Sequence, residues 1–499
     1  MIKVIAVQLN YKPCDINHNI EKIKNNYIRH SQCDLVIFSE LSITGYNISD
    51  YITSESFIYH SMAMIEELKL ITLNQRARLI VGGISKKEND IYNTIYIINN
   101  GIIEKTLFKT PYLSAEYSLI SHAFKQDNTL TIEDQKFVIL LDEKERNNNK
   151  SIVIDTFSQL CYKKKNYIKN TIYINHVGGE GELIFAGCSR YNDIIADRYL
   201  EDFIEIILPK NNKDLSDDNS IAENNNLEDL YSAITISLRN FYEHNNFQKI
   251  TIGLSGGMDS AMVLAIAADA IGIENINIYI LPSKYSSNDT LNDAIETCNI
   301  FNIKYKIINI ENIIKIIKDE LNDDSEDNIA AQNLQSRIRA VLLMYDSNLS
   351  NTLLVNTGNK SENAMGYSTL YGDSCGGYAP IKNIYKTEIY KLAEWRNDNY
   401  PKFSRHKKTN IFLQNILTKA PSAELKPDQK DSDDLPEYND LDPMIEKIIS
   451  NNNDMVDQNI EYKFNRAKFK RKQGCIGGIL TNKCFNGHLI LFKNIKAII

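Results

Sequence analysis

The run Gly253-Leu254-Ser255-Gly256-Gly257-Met258-Asp259-Ser260-Ala261 follows the apolar stretch Lys249-Ile250-Thr251-Ile252 and precedes a helix-like segment over 262–270. A buried strand that ends in a glycine turn at a helix N-terminus gathers unpaired backbone N–H groups around one point. Two glycines let the backbone close round an anion there, and the Ser255 and Ser260 hydroxyls add donors. Asp259 can hold a magnesium ion against the same phosphates. The spacing lacks the lysine of a Walker loop and the three spaced glycines of a dinucleotide fingerprint. A bare glycine turn is equally an ordinary strand-to-helix joint; the serines and the aspartate tip the reading to a phosphate site.

Working outward, a helix is expected over 227–242 and further strands over 276–281, 304–310 and 352–356, separated by helices. That β-α-β alternation predicts a doubly wound parallel sheet with ligands at the carboxyl ends of its strands. Upstream, the polar segment PKNNKDLSDDNSIAENNN at 209–226 has too few large apolar residues to fold and reads as a linker. Before it, strands at 1–9, 35–38, 79–83, 95–98 and 137–141 mix with helical stretches over 20–29 and 62–76. The expected organisation is α/β throughout: a first domain over 1–208, the linker, and a second domain over 227–499.

At 499 residues, the chain is long enough for two or three cores. With 43% hydrophobic and 24% charged residues, its balance is that of a soluble globular protein. A net charge of −8 argues against a general nucleic-acid or membrane-surface partner, so local cations must meet any anionic substrate. The eight cysteines are scattered with no CxxC pair, which suggests neither a disulfide framework nor a zinc site and fits a reducing cytoplasm. The start Met1-Ile2-Lys3-Val4 reads as a strand instead of a signal peptide, and no run of 18 apolar residues suggests a membrane span.

Further polar groups fall where the second sheet would collect them. Val355-Asn356-Thr357-Gly358-Asn359-Lys360-Ser361-Glu362 follows a buried strand and opens a helix, so Thr357 and Glu362 can face the first loop, with Glu362 sharing a magnesium ion with Asp259. A glycine loop at 371–380 precedes Lys386 on a helix. The first loop resembles the pyrophosphate loop of ATP pyrophosphatases. With NLQSRIR at 333–339, TGNKSE at 357–362, YSTLYGDSCGGYAPIKNIYKTE, KAPSAELKPDQKDSDDLPEYNDLD from Lys419 and KRKQ at 470–473, the order is similar to that of NAD synthetases over nearly all of 227–485. The resemblance implies an adenine nucleotide α-hydrolase-like sheet of ATP-pyrophosphatase type. It implies ATP-dependent amidation of deamido-NAD, with release of AMP and pyrophosphate. By the same resemblance Gly253, Leu254, Ser255, Gly256, Gly257, Met258, Asp259, Ser260, Thr357, Lys386 and Ser422 contact ATP. Asp259 and Glu362 hold magnesium, Asn333, Arg337, Glu362 and Lys470 meet deamido-NAD, and the protein is a homo-oligomer, at least a dimer.

Taken singly, these residues have plainer readings. Arg337 and Lys386 pass as solvated helix charges, 468–472 as a basic tail or nucleic-acid patch, and Asp431-Ser432-Asp433-Asp434 as a solvated loop of which one member orders the substrate site. Only their shared order and spacing favours binding roles.

The first half has AVQLN at 6–10, FSELSITGY at 38–46, LFKTP at 107–111 and NHVGGEGELIFAG at 175–187, and resembles the nitrilase-like glutaminase domain fused to many NAD synthetases, an α-β-β-α sandwich. The resemblance makes Glu40 a general base and Lys109 an oxyanion-polarising cation in a Glu-Lys-Cys triad. Where the family's strand presents its cysteine, this chain has Val138-Ile139-Leu140-Leu141-Asp142-Glu143, with Leu141 at the nucleophile's place. Leucine forms no thioester, Cys161 lies about 20 residues on, and the stretch 147–175 looks shortened. The domain reads as a degenerate glutaminase. Three readings follow: an ammonia-dependent NAD synthetase, a glutamine-dependent one with an unrecognised nucleophile, and an inactive binding or scaffold homologue. Gly474-Cys475-Ile476 and the end of the chain depart from the family pattern.

Overall fold

The computed structural model describes the chain except for residues 88–89, 110–125, 142–150, 162–166, 210–226, 324, 326–327, 428, 451–455, 482 and 485–499. Two compact units part between residues 224 and 225. The boundary falls within the expected linker, nearly all of which lies outside the described residues.

In the first unit, a six-stranded sheet runs in the order Asp202–Leu208, Ile2–Gln8, Leu35–Ile37, Arg78–Lys87, Asp90–Asn99 and Ile102–Phe108. A second six-stranded sheet runs Ile194–Ile195, Arg190–Tyr191, Thr171–Tyr173, Ile152–Asp155, Gln135–Ile139 and Thr129–Ile132. Side chains alternate along each strand, and this alternation sets the layers. Ile2, Val4 and Ala6 share one core with Phe137, Ile139, Ile152 and Ile154 of the second sheet. Ile5 and Val7 point the other way, onto Ile20, Ile23 and Tyr27 of helix Ile16–His30 and Ile58, Ile65 and Leu68 of helix Glu55–Ile71. This is the α-β-β part of the expected sandwich; no helix over the outer face of the second sheet is among the described residues. The helix expected over 62–76 starts earlier, because Ser54 caps its first turn by accepting from the Phe57 N–H, and it ends at Ile71.

In the second unit, four parallel strands are ordered Tyr305–Ile307, Ile276–Ile280, Lys249–Gly253 and Thr352–Leu354. The chain builds outward on one side of Lys249–Gly253 and then returns to its other side with Thr352–Leu354. The order therefore reverses between these two strands, which opens a crevice beyond their carboxyl ends. The helix behind the sheet, Met258–Ile271, is apolar nearly all round and buried along almost its whole length. Its one buried carboxylate, Asp269, takes Arg396 Nε at 2.7 Å and Nη2 at 2.9 Å, the Tyr231 hydroxyl at 2.7 Å and the Ser404 hydroxyl at 2.6 Å. Four charge-assisted bonds satisfy both ions and tie helices Leu227–His244, Met258–Ile271 and Lys386–Asp398 together.

Candidate functional site

From the end of Lys249–Gly253 the chain turns through Leu254–Gly257 into the helix at Met258. Gly256 has φ +89°, and a Cβ on it would lie 2.2 Å from the Thr290 carbonyl oxygen, so both its dihedral and its space require glycine. The turn is braced internally: Ser255 N–H reaches Ser260 Oγ at 3.2 Å, the two hydroxyls are 3.0 Å apart, and Gly257 N–H reaches Ser255 Oγ at 3.2 Å. Gly257 sits at the N-cap with no side chain to satisfy the first helical N–H groups. Those donors face the crevice, where the helix dipole favours an anion.

From the neighbouring strand, Thr352–Leu354, the chain passes through 355–359 into the short helix Lys360–Met365, whose cap Asn359 accepts from Glu362 N–H at 3.0 Å and donates to Asp259 Oδ1 at 3.3 Å. Lys386 begins the helix Lys386–Asp398, and Asp442 anchors that turn by accepting from the Thr387 N–H at 3.0 Å and its hydroxyl at 2.7 Å. The buried Lys386 ammonium is bonded to Asp259 and lies 3.2 Å from Glu362 Oε1. Burial alone would lower its pKa, yet the Asp259 and Glu362 carboxylates outweigh that and hold it raised. Glu362 is pushed up to about 8, first by burial and then by Asp259 and Asp431, against the pull of Lys386. Asp431 is raised by burial as well; Tyr438 donates to its Oδ2 at 2.8 Å, while its Oδ1 is buried without a hydrogen-bond partner. One ammonium thus faces three carboxylates, and the centre is short of positive charge.

A cavity of about 860 Å³ joins these parts and is lined by Gly253 to Ser260, Asn333, Thr357, Glu362, Lys386, Ser422, Asp431 and Lys470. Its volume suits a nucleotide-sized ligand. Lys470 donates to the carbonyls of Gly366 at 2.8 Å and Ser368 at 2.7 Å, and Asn333 Oδ1 accepts from Thr369 Oγ1 at 2.7 Å. Arg337 is not in the wall: it is exposed and donates to the Leu370 carbonyl at 3.2 Å. Two residues along a helix turn about 200°, so its neighbour Arg339 takes the inward face, donating to Leu281 O at 2.9 Å. Burial lowers the Arg339 pKa to about 10. Sequence reasoning quoted Arg339 without a role and missed Asn359 and Tyr438; a helical projection of 329–350 would have found the first, and nothing in the local pattern signals the others.

Magnesium is the implied cation, and the donor set fits it in part. Among the described residues, no group of three or more acidic, imidazole or thiol side chains is gathered as a metal cage. Asp259 and Glu362 nonetheless converge on one point beside the phosphate loop, and magnesium commonly uses one or two carboxylates with phosphate oxygens.

In the first unit, Glu40 and Lys109 form an ion pair of 2.8 Å at 1% and 0% exposure. Asn93 Nδ2 at 2.8 Å and Ser158 N–H at 2.6 Å complete the carboxylate's shell. The ammonium also reaches Thr156 Oγ1 at 3.2 Å and lies 3.3 Å from the Phe157 ring centroid. Gly82 admits this packing, since a Cβ there would lie 2.4 Å from Glu40 Cα. Asn93 Oδ1 and Ser158 Oγ, on two residues that bond Glu40, are buried without partners. Leu141, two residues past the end of strand Gln135–Ile139, is buried in the apolar layer between the sheets with Phe137 and Ile139. Neither it nor the next residue, Asp142, carries a thiol.

Comparison with known proteins accords with this division. Residues 230–474 match the NAD synthase family and residues 3–107 the carbon-nitrogen hydrolase family, a match that stops short of Lys109. The chain is 29% identical to the glutamine-dependent NAD(+) synthetase of Aquifex aeolicus, over 97% of this chain and 98% of that one, and 28% identical to that of Thermotoga maritima, over 97% of each. The structure of glutamine-dependent NAD+ synthetase from Acinetobacter baumannii, in complex with ADP, superposes with a TM-score of 0.73 at 25% identity, covering 97% of both chains.

The Glu362 shift has a ligand-free consequence. A carboxyl whose pKa is raised by folding keeps its proton in the native state while the unfolded chain loses it, so its contribution to stability falls as pH rises from about 4.5 to about 8. Glu362→Gln cannot ionise. Its melting temperature relative to the parent is expected to rise steadily between pH 5 and pH 8.5 in thermal scans; a pH-independent difference would contradict the shift.

Proposed function

The chain belongs to the NAD synthase family through residues 230–474, and from that premise we propose that it is a carbon–nitrogen ligase amidating the nicotinate carboxylate of deamido-NAD with ATP. The observation carrying this reading is the convergence, in one cavity, of a phosphate-binding helix N-terminus with the buried Lys386 and its carboxylates. A carboxylate is a poor electrophile. Attack of its oxygen on the α-phosphorus breaks the α–β phosphoanhydride bond, and pyrophosphate leaves with its new charge on the Ser255–Ser260 turn. Ammonia then attacks the acyl carbon, AMP departs and a proton is released. Charge develops on phosphoryl oxygens in both steps, so fixed N–H donors and the Lys386 ammonium are the expected stabilisers. Asp259 and Glu362 would hold magnesium, which when bound neutralises phosphate charge. Thr357 and Ser422 supply hydroxyls toward ATP, while Asn333, Glu362 and Lys470, with Arg337 outside the wall, are assigned to deamido-NAD. Purified protein given deamido-NAD, ATP and ammonium should yield NAD, AMP and pyrophosphate. Asp259→Ala should lower kcat/KM by at least about 100-fold, in line with loss of a central charged group; formation of ADP and phosphate would refute the reading.

Ammonia is assigned as the direct nitrogen donor. The matched relatives are named for glutamine dependence, but hydrolysis of glutamine through a thioester needs a nucleophile beside Glu40 and Lys109. Leucine at 141 supplies none, and the Phe157 ring covers one side of the Lys109 ammonium. Glutamate release from glutamine should be negligible while ammonium sustains NAD formation. Release abolished by Cys161→Ala would restore glutamine dependence through that thiol.

A homodimer is proposed through helix Ile329–Ser350, where Val341, Tyr345 and Leu349 are 67%, 70% and 73% exposed in one i, i+4, i+8 stripe. Tyr345→Lys should shift the mass measured by light scattering from dimer to monomer; a parent that is already monomeric would exclude the interface. No disulfide joins any of the eight cysteines, and no described helix is long and apolar enough to cross a membrane.

A further inference from the structure

Thr290 stands where two parts of the nucleotide cavity meet. On one side its carbonyl oxygen abuts Gly256, the tightest point of the phosphate turn. On the other, its hydroxyl lies 2.7 Å from Glu424 Oε1 and accepts from Lys419 Nζ. Glu424 caps the same helix, Asn288–Phe301, from outside the chain segment that forms it. It takes Ser287 Oγ at 3.0 Å and Ser287 N–H at 3.3 Å, at the positive end of the helix dipole. Its backbone is left-handed, at φ +45°, a conformation that side chains other than glycine seldom adopt without tertiary support. Lys419 is held in turn between Asp289 at 3.4 Å and Asp293 at 3.7 Å.

The segment between and beyond these anchors crosses the cavity. Ser422 accepts from the Glu424 N–H at 3.1 Å and donates to the Gln429 carbonyl. Leu425 O accepts at 3.0 Å from Gln335 of helix Ile329–Ser350, and Asp431 N–H reaches back to Pro421 O at 3.0 Å. The strap thereby delivers Ser422 and the unpaired Asp431 oxygen to the cavity, and Glu424 fixes it to the helix against which the phosphate turn is packed.

We propose that Glu424 is a positioning residue for ATP. Through Thr290 and Ser287 it sets the strap carrying Ser422 in register with the Ser255–Ser260 turn, so that both ends of the triphosphate-bearing nucleotide are met at once. Glu424 acts on ATP through these neighbours. The inference rests on the ATP reading of the cavity, and its failure is distinguishable from failure of that reading, which the parent enzyme alone decides by whether it makes AMP and pyrophosphate.

The test is steady-state kinetics of the full chain with Glu424→Ala, Glu424→Gln and Thr290→Val, alongside melting temperatures without ligand. Glu424→Ala should raise KM for ATP about tenfold, the scale of losing one or two charge-assisted bonds, and leave KM for deamido-NAD within about twofold. Glu424→Gln retains an acceptor for Ser287 and Thr290 and should recover most of the loss. The Glu424→Ala and Thr290→Val effects on KM for ATP should be less than additive, since they break one contact. An unchanged KM for ATP in an active Glu424→Ala enzyme would overturn the proposal. So would an equal rise in both KM values accompanied by a lowered melting temperature in Glu424→Ala and Glu424→Gln alike, which would make the residue merely structural.

Discussion

A buried ammonium must be answered by carboxylates, and in this chain that requirement draws the synthetase cavity together. Lys386 opens one helix, Asp259 the helix after the phosphate turn, and Glu362 a short helix after the neighbouring strand, while Asp431 arrives from the strap. Each element has its own reason to form, from caps and buried faces, and the charge cluster is where their ends converge. It does so without neutrality, since three acids meet one base. Burial raises both Glu362 and Asp431, which is how a protein holds excess acid in a low-dielectric site before a cationic ligand arrives.

Much of this could be read before any coordinates. The strand, glycine turn and helix at 249–271 are a local signal, because the turn's dihedrals, the helix's apolar run and the capping geometry are all decided within that one segment. That the four strands run parallel was legible from alternation alone; their order was not. What was not legible was anything fixed by distant partners. Strand 305–307 is shorter than its apolar run suggested, because only those three residues pair with Ile278 to Ile280. Arg337 and Arg339 look interchangeable in a string of letters, yet their helix sends one to solvent and the other to the cavity. Asp431 is one of three similar acids in sequence, distinguished only by facing Lys386.

In the first unit the same physics gives a different result. Glu40 and Lys109 are almost fully buried and well bonded: the carboxylate has three donors, and the ammonium has a carboxylate, a hydroxyl and an aromatic face. Removing either partner would strand a buried charge, a loss of about 3–5 kcal/mol for a typical pair. Burial and pairing thus give both residues a structural role, whatever they contribute to turnover.

That asymmetry is rooted in how each kind of catalysis distributes its work. Adenylation is helped by many modest contributions: N–H groups at a helix end, hydroxyls, one ammonium and the carboxylates that organise a cation. When one of many such contributions is lost, the rate falls by a factor without the reaction being removed. Covalent hydrolysis of an amide passes through one atom. Without a nucleophile there is no thioester to form or to break, however well the base and the cation are placed. The cavity of the second unit can thus be judged by the sum of its parts, whereas the buried pair of the first must be judged by whether a nucleophilic atom stands beside it.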